Sequence, residues 1–416
     1  MRLQPFTAVR PHPEHAASVA SVPYDVVNRD EAARLAAGNS ESFLHVVRPE
    51  IDLPPEVDPH DASVYARARD NLAGLIARGI LLRDAAAALY LYRLGMDGRE
   101  QIGVAGCASV DEYERDVIRK HERTRRDKED DRTRHMLALA AHPEPVLLAH
   151  RDDETIDRLV TEGAATSPLY DFEASDGVRH TVWRISETRA YEDAFAGVPQ
   201  AYVADGHHRC ASAARASRQL RERDATPPAE TAPQPTPQSA DWFPAVLFPA
   251  GQLRILAYNR LVKDLNGSES AELLEKLAGV GRLSPAHDRV PPRAGTFSIY
   301  LDGRWHLLEL AETDVPAYDP IGSLDVALLH ARVLEPILGI GDVRTDPRID
   351  FVGGVRGVDE LEQRVDSGEM ALAVSLHPVT IEQVMAVSDA GGMMPPKSTW
   401  FEPKLRSGLF LHPLDS

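Results

Sequence analysis

Apolar and polar residues alternate along the chain in two periods, which predict a mixture of helices and strands. Apolar residues recur at helical spacing between Ser63 and Leu82, and the pattern predicts a helix that ends at Gly79. Two apolar runs at 88–93 and 101–106 flank the turn sequence MDGR and predict a β-hairpin. Because strands and helices interleave without a strict βαβ rhythm, the pattern favours a mixed α/β, or α+β, fold.

The same patterns predict several further elements. Strands are expected at 145–149, 181–185, 201–204, 243–248, 296–301 and 371–376, and helices at 30–35, 207–223, 271–278 and 324–338.

One segment interrupts this pattern. Residues 224–240, DATPPAETAPQPTPQSA, contain no large apolar side chain and therefore form a linker or a surface insertion. We take it as the boundary between an N-terminal region, 1–223, and a C-terminal α/β region, 241–416. A surface insertion within one sheet stays an equal alternative, because the flanking helix and strand could share that sheet.

Composition and charge narrow the function classes. The 416 residues are 43% hydrophobic and carry a formal net charge of −18, which argues against nucleic-acid binding as the main role. Two cysteines exclude a disulfide framework and a multi-cysteine metal site. No apolar run is long enough to span a bilayer and the N-terminus lacks a signal-peptide pattern, so we expect a cytoplasmic protein.

The junction AlaAspGlyHisHisArg at 204–209 is the most informative stretch. A strand ends at Asp205 and an alanine-rich helix follows, so the helix start can hold an anion. Gly206 lets a ligand approach the backbone, while His207, His208 and Arg209 supply donors, the last as a fork suited to phosphate. Asp205 can cap the helix or hold magnesium. The plainer interpretation is a common turn with solvated histidines.

Two other chemistries at this junction are disfavoured. Adjacent histidines cannot both face one metal from a helix without distortion, and no third ligand has motif spacing, so the sequence disfavours a zinc site. Cys210 could be activated by the helix start, but we expect it to fill a gap between helix and sheet.

A highly charged stretch lies between Asp111 and His135, with nine acidic and nine Lys or Arg residues. One interpretation is a solvated helix with i,i+4 pairs such as Glu122–Arg126. The other is that Glu122, set among His121 and several cations, acts as a base beside an anionic substrate. A zinc-protease HExxH motif fails, because position 125 is Arg.

The C-terminal segment GGMMPPKS resembles a phosphate-binding loop without matching it, since Pro396 replaces the second glycine. Lys397, Ser398 and Thr399 still form a compact set of donors suited to an anion. Packing of the tail through Trp400 and Phe401 is the alternative. No GxGxxG follows a strand, so a dinucleotide site has no support.

Taken in order, SVPYDVV, SFLHVVRPE, KHERT…DDR, YVADGHHRCASA and MPPKSTWFEPKLRSGL resemble the bacterial and archaeal family called domain of unknown function 1015. The likeness extends over nearly the whole chain. The DGHHR box is also similar to the phosphate motif of free serine kinases with a ParB/sulfiredoxin-like fold. The resemblance implies a phosphate-binding core of that type, elaborated with additional sheet and helices.

The resemblance implies phosphorylation of a small hydroxylated metabolite, above all free L-serine to O-phosphoserine, with ATP, ADP or pyrophosphate as donor. Asp205 through Arg209 would hold the donor's phosphates, with Mg²⁺ on Asp205 and further contacts from Lys397, Ser398 and Thr399. Glu122 would act as the catalytic carboxylate together with His208 and Arg209. Where relatives tend to have Thr-His-Arg after Phe248, this chain has AYNR at 257–260, which bears on the preference for a donor.

Tyr24 and Asp25, in the turn sequence SVPYD, are candidates for binding the substrate's amino group, and His121 is a further candidate for binding the substrate. A purely structural turn is an equal alternative for the first two. The competing function is a ParB-like nucleotide-binding regulator or scaffold without kinase activity. A redox role through Cys210 is a third. The expected partners are a small-molecule substrate and a phosphoryl donor, without membrane, and the oligomeric state, homo-oligomer included, is left open.

Overall fold

Strands and helices follow one another along residues 1–224 and 237–414, which a computed structural model describes. The strands are β1 (Leu3–Gln4), β2 (Val9–Pro11), β3 (Leu81–Arg83), β4 (Leu89–Met96), β5 (Arg99–Ser109), β6 (Ile118–Arg119), β7 (Ala141–His142), β8 (Val146–His150), β9 (Tyr170–Glu173), β10 (Arg179–Ile185), β11 (Ala201–Asp205), β12 (Trp242–Pro249), β13 (Arg254–Leu256), β14 (Tyr258–Val262), β15 (Arg282–Pro285), β16 (Thr296–Leu301), β17 (Arg304–Glu309), β18 (Ile349–Gly353), β19 (Leu372–Leu376), β20 (Trp400–Glu402) and β21 (His412–Pro413). The helices are α1 (Ala16–Val19), α2 (Arg29–Ala36), α3 (Leu44–Val47), α4 (Ala62–Ala77), α5 (Val110–Glu114), α6 (Arg126–Leu139), α7 (Glu154–Ala164), α8 (Arg189–Ala196), α9 (His207–Asp224), α10 (Pro237–Ala240), α11 (Ser270–Ala278), α12 (Asp325–Leu329), α13 (Gly357–Asp366) and α14 (Ile381–Asp389).

The chain forms two compact units, one of Met1–Leu253 with Pro403–Ser416 and the other of Arg254–Glu402. This division differs from the predicted boundary at 224–240. Helix α9 before that segment and strand β12 after it both belong to the first unit, because β12 is hydrogen-bonded between β8 and β5 in its sheet. Residues 225–236 of the predicted linker lie outside the described residues.

The first unit is built on a mixed sheet in the order β6-β11-β8-β12-β5-β4-β10-β9, with β1 paired to β5. Strand β12 runs parallel to β8 and antiparallel to β5, and β11 lies antiparallel to β8. Helix α9 packs on this sheet through Cys210, Ala213 and Ala214, which join a core that also contains Val203 and Leu247. The end of β11 and the start of α9 are thereby fixed by buried neighbours.

Local sequence explains where several predicted elements begin and end. Helix α4 starts after Asp61, whose side chain accepts the Ser63 N–H, and Gly79 beyond its end has a φ of 72°. The β4–β5 hairpin turns at Asp97 and Gly98, with φ of 52° and 73°, as an Asp-Gly turn requires. The mixed α/β prediction is confirmed.

Two predicted helices differ from the structure. The stretch 111–135 is not one continuous helix, since α5, β6 and a bend at Glu122 precede α6, so the pair Glu122–Arg126 does not share a helix. The helix predicted for 324–338 is helical only as α12 followed by a π-helical turn at His330–Leu334. None of the helices in the described ranges has the length and apolar character of a membrane span.

The second unit contains a sheet in the order β15-β17-β16-β19-β14-β18 and a separate two-stranded ribbon of β13 and β20. Helix α13 covers one face of the sheet, where Leu361 packs with Leu261, Tyr300 and Val352. Because side chains alternate along a strand, Tyr258 and Arg260 of β14 lie on the other face from Leu261.

Candidate functional site

The junction between β11 and α9 has the geometry of an anion-binding helix start. The pairing of β11 with β8 is irregular between Val203 and Asp205, and Gly206 then takes a φ of 101°, which side chains rarely adopt. A Cβ at Gly206 would lie 3.0 Å from Arg209 Nε, so no side chain fits there without displacing the guanidinium. The first-turn amides of α9 precede the helix's internal bonding, which begins with the Cys210 N–H donating to Gly206 O at 3.0 Å.

Arg209 is buried under this turn. Its Nη1 donates to the carbonyl of Pro145, and its Nη2 donates to Asp205 Oδ2 at 3.4 Å. Nη2 also lies 3.9 Å from Asp25 Oδ2. Burial works against the charge of Arg209, but Asp205 and Asp25 outweigh it and raise the pKa of the guanidinium. Arg209 therefore fixes the helix start, and its positive charge lies buried beneath the turn.

Asp205 is placed between two cations. Its Oδ2 accepts from Lys404 Nζ and from Arg209 Nη2, each at 3.4 Å. Burial opposes ionisation of this carboxyl, yet Lys404 and Arg209 lower its pKa to about 2. Lys404 lies in the C-terminal stretch MPPKSTWFEPKLRSGL, but sequence reasoning assigned the role of cation there to Lys397 and missed Lys404.

The two histidines act first as hydrogen-bond acceptors. His207 Nε2 accepts the backbone N–H of His121 at 3.4 Å, and His208 Nε2 accepts that of Arg125 at 3.1 Å. Each ring therefore carries its proton on Nδ1. Burial lowers the pKa of both histidines, with neighbouring His121 as a second cause for His207, so both are neutral near pH 7.

These contacts hold the loop 121–125 against the start of α9. The ring of His121 is buried and meets that of His207 edge to face, with centroids 4.3 Å apart. Burial lowers the pKa of His121 to about 4. Glu122 lies in this loop, half-buried, at the bend between β6 and α6. The sequence-predicted base is thus carried by a loop tethered on either side of it to the two histidines.

The predicted substrate residues lie on the N-terminal segment of the same unit. Tyr24 is buried, its N–H donates to Glu144 Oε1 at 3.3 Å, and Arg132 Cζ lies 4.3 Å from its ring centroid. Asp25 is exposed, with its carboxylate near Arg209. Tyr24 thus has the packing of a structural residue, whereas Asp25 is free to face a ligand.

Glu144 is a further residue of this region that sequence reasoning missed. It is buried, and its Oε1 also accepts from Ser407 Oγ at 2.6 Å. Burial raises the pKa of its carboxyl despite the nearby charge of Arg209. A Glu between two prolines carries no motif, so only the three-dimensional arrangement identifies it.

The remaining predicted residues lie elsewhere or behave differently. Lys397, Ser398 and Thr399 belong to the second unit, and their part in binding a donor stays a prediction. Ser398 Oγ donates to Pro395 O at 2.6 Å. Cys210 is fully buried, and burial raises the pKa of its thiol to about 12, which removes the nucleophilic thiolate at neutral pH.

A metal ion would find one suitable carboxylate here. Within residues 1–224 and 237–414, no group of three or more His, Cys, Asp or Glu side chains is placed to hold a metal. Mg²⁺ commonly takes one or two protein carboxylates and completes its shell with phosphate oxygens and water. Asp205, ionised over the whole physiological range, fits that role once a donor supplies the other ligands.

A scan against protein-family models assigns residues 3–327 to the family described as protein of unknown function DUF1015. The chain belongs to this family. Its match covers every element of the first unit from β1 through β12 and extends into the second unit. No curated protein matches the DUF1015 chain.

Among the solved structures similar to the DUF1015 chain are three whose sequences have low identity to it. A conserved hypothetical protein from Pyrococcus furiosus has 13% identity and a TM-score of 0.35, over 74% of this chain and 94% of its own. A free serine kinase in complex with AMP has 12% identity and a TM-score of 0.35, over 73% and 92%. Staphylococcus aureus SbnI, truncated at its C-terminus, has 12% identity and a TM-score of 0.39, over 74% and 87%. We therefore base the function on the chain's own residues.

Proposed function

We propose that this protein is a phosphotransferase that binds a polyphosphate donor at the start of α9 and phosphorylates the hydroxyl of a small metabolite. The acceptor we propose is free L-serine, with ATP, ADP or pyrophosphate as donor, in keeping with the resemblance of the DGHHR box. One observation carries the proposal. The loop that bears Glu122 is tied by His207 and His208 to the same helix start at which we propose the donor binds.

The donor's phosphates would be held by neutral and charged groups together. The first-turn amides of α9 point toward an anion at the positive end of the helix dipole. The Nδ1–H groups of His207 and His208 add two donors without adding charge, because both rings are neutral. Lys404 and Arg209 contribute positive charge around Asp205. Mg²⁺ held by Asp205 would neutralise charge on the donor's phosphates.

Glu122 would accept the proton of the acceptor hydroxyl. As the hydroxyl oxygen forms its bond to phosphorus, the bond from phosphorus to the donor's bridging oxygen breaks and the hydroxyl proton passes to the Glu122 carboxylate. The protein's main contribution is alignment, since phosphoryl transfer asks for little covalent chemistry from side chains. Asp25, exposed beside Arg209, would receive the ammonium group of serine.

The decisive variant is Glu122→Gln, which keeps the shape of the side chain and removes the base. We expect turnover to fall by about 10²–10⁴-fold while donor affinity stays within a few-fold of wild type. Phosphoserine formation and donor titration calorimetry measure the two effects. Glu154→Gln, an exposed Glu of α7, is the matched control and should leave both unchanged. Wild-type turnover in Glu122→Gln would remove Glu122 from the mechanism.

Substrate dependence separates the kinase from the ParB-like regulator. Purified protein is incubated with ATP, ADP or pyrophosphate, with and without L-serine, and phosphoserine is quantified. We expect product with at least one donor, only when serine and Mg²⁺ are both present. Tight nucleotide binding that serine does not influence, without product from any donor, would instead favour the regulator.

A further inference from the structure

In the described part of the chain, every buried arginine except one pairs with a carboxylate. Five arginines are buried there, and four of them pair with a carboxylate. The pairs are Arg10–Asp84, Arg132–Asp131, Arg209–Asp205 and Arg406–Asp176. Arg260 on β14 is the fifth, only 2% exposed, and no described carboxylate pairs with it. A buried charge without a counter-ion is costly, so this exception calls for a ligand.

The surroundings of Arg260 are neutral. Its Nη1 donates to Tyr258 O at 2.7 Å and its Nη2 to Pro396 O at 3.5 Å, while its Cζ lies 4.7 Å from the Phe351 ring centroid. Carbonyl dipoles satisfy N–H groups but do not neutralise a full charge. Burial lowers the pKa of this guanidinium to about 9, whereas Asp131 and Asp205 help raise the pKa of Arg132 and Arg209.

A second cation lies beside the first. Lys397 is exposed, and its Nζ lies 5.3 Å from the ring centroid of Tyr258, the residue whose carbonyl binds Arg260. The backbone of Lys397 has a φ of 57°, a left-handed conformation that residues other than glycine rarely adopt. The carbonyl of the preceding Pro396 accepts from Arg260 Nη2. The turn at 396–397 therefore places Lys397 beside Arg260 and Tyr258.

We propose that Arg260 and Lys397 form an anion-binding site in the second unit, and that its ligand is a phosphoryl group such as that of pyrophosphate or a nucleotide. Two cations that pair with no acidic side chain among the described residues match a group with about two negative charges better than a single carboxylate. The planar guanidinium binds two phosphate oxygens at once, and the ammonium adds a point charge. Every residue of the site belongs to the second unit, so it stands whether or not the first unit transfers phosphate.

The first test measures binding of inorganic pyrophosphate by calorimetry to the full chain carrying His208→Ala, which weakens the site proposed at α9. We expect Arg260→Met to weaken binding about 10–100-fold, Arg260→Lys to weaken it less, and Lys397→Met to weaken it about 3–10-fold. Lys263→Met is the control, because Lys263 is exposed just past β14. Pyrophosphate binding that Arg260→Met leaves unchanged would overturn the proposal.

Thermal unfolding without ligand distinguishes a binding residue from a structural one. If Arg260 awaits an anion, Arg260→Met should unfold at or above the wild-type temperature in chloride buffer, since an uncompensated buried charge has been removed. With the α9 site weakened by His208→Ala in both proteins, only the protein that retains Arg260 should then gain stability when pyrophosphate is added. A large loss of stability in Arg260→Met, with no gain from pyrophosphate in the protein that retains Arg260, would contradict the site.

A local probe separates this site from the one at α9. The ring of Trp400 lies 5.5 Å from that of Tyr258, so an anion bound beside Tyr258 should change its fluorescence. We expect the pyrophosphate-dependent change to disappear in Trp400→Phe and to persist in His208→Ala, which disables only the first unit's site. Loss of the signal in His208→Ala, but not in Trp400→Phe, would overturn the assignment to Arg260.

Discussion

At the residue scale, Lys404 shows which residues of the site could be predicted from the sequence and which could not. Asp205 and Gly206 are neighbours in a motif, and their chemistry follows from a strand that meets a helix. Lys404 is 199 positions away from Asp205, in a segment whose sequence pointed to Lys397 instead, so only the fold brings the Lys404 ammonium to the carboxylate. The histidines were predicted as donors to phosphate, and their role as acceptors of loop amides depends equally on the fold.

Lys404→Met tests the charge balance at Asp205. Removing one of two cations should raise the pKa of Asp205 from about 2 and, because Asp205 retains Arg209, should cost about 1–2 kcal/mol in the free energy of unfolding at pH 7. Since the pKa of Asp205 lies below its unfolded value, this stability is present above pH 4 and is lost as pH falls toward 2. Urea unfolding of both proteins measures the difference.

Lys276→Met is the matched control for that variant, because Lys276 forms an exposed pair with Glu272 at 2.8 Å. An exposed pair of this kind contributes about 0.5 kcal/mol or less. Equal losses of stability in the two variants would show that Lys404 is no more than a surface lysine.

At the element scale, the sequence predicted regular elements better than their interruptions. Apolar periodicity and caps define α4 and the β4–β5 hairpin, because each depends on neighbours in sequence. The charged stretch 111–135 has no apolar periodicity or cap that would predict its break. Its break at Glu122 depends on β6, which joins the sheet beside β11, and on histidines of α9 that hold the loop.

The loop 121–125 should therefore loosen when one tether is removed. His208→Ala deletes the acceptor of the Arg125 N–H, a hydrogen bond of about 1 kcal/mol, so amide exchange in this loop should become about five times faster. His208→Gln, which retains an acceptor, should restore part of the protection. Hydrogen exchange measured by mass spectrometry reports both. His15→Ala, remote in sequence and paired with Glu41, should leave the loop unchanged. Unaltered exchange in His208→Ala would contradict the tether.

At the scale of the whole molecule, buried neutral histidines set the acid limit of stability. Burial lowers the pKa of His121 to about 4 and of His135, His142 and His180 to about 3. The unfolded chain binds protons at these groups near pH 6.5 while the folded chain does not, so stability falls as pH drops from about 6.5 to 4. His45, whose pKa is raised by Asp52, works in the opposite sense.

His135→Gln isolates one of these contributions. His135 Nε2 binds the Val46 carbonyl at 2.8 Å, and a Gln amide can replace that donor without titrating. Between pH 6 and 4, the free energy of unfolding should fall less steeply in the variant, by up to about 1.4 kcal/mol per pH unit. Urea unfolding at several pH values gives both slopes. Identical slopes would mean that His135 is protonated in the folded chain as readily as in the unfolded one.

The entry and exit of the second unit have a consequence for how the chain tolerates change. Arg254 and Glu402, its first and last residues, are paired partners on β13 and β20. The chain thus enters and leaves this unit of 149 residues at the same pair of strands. We expect changes of length between Ala257 and Thr399 to leave the β13–β20 pairing in place, so that Lys404, two residues beyond β20, still meets Asp205. We therefore expect variation in the second unit to accumulate without altering the spacing of the strands that carry the α9 site.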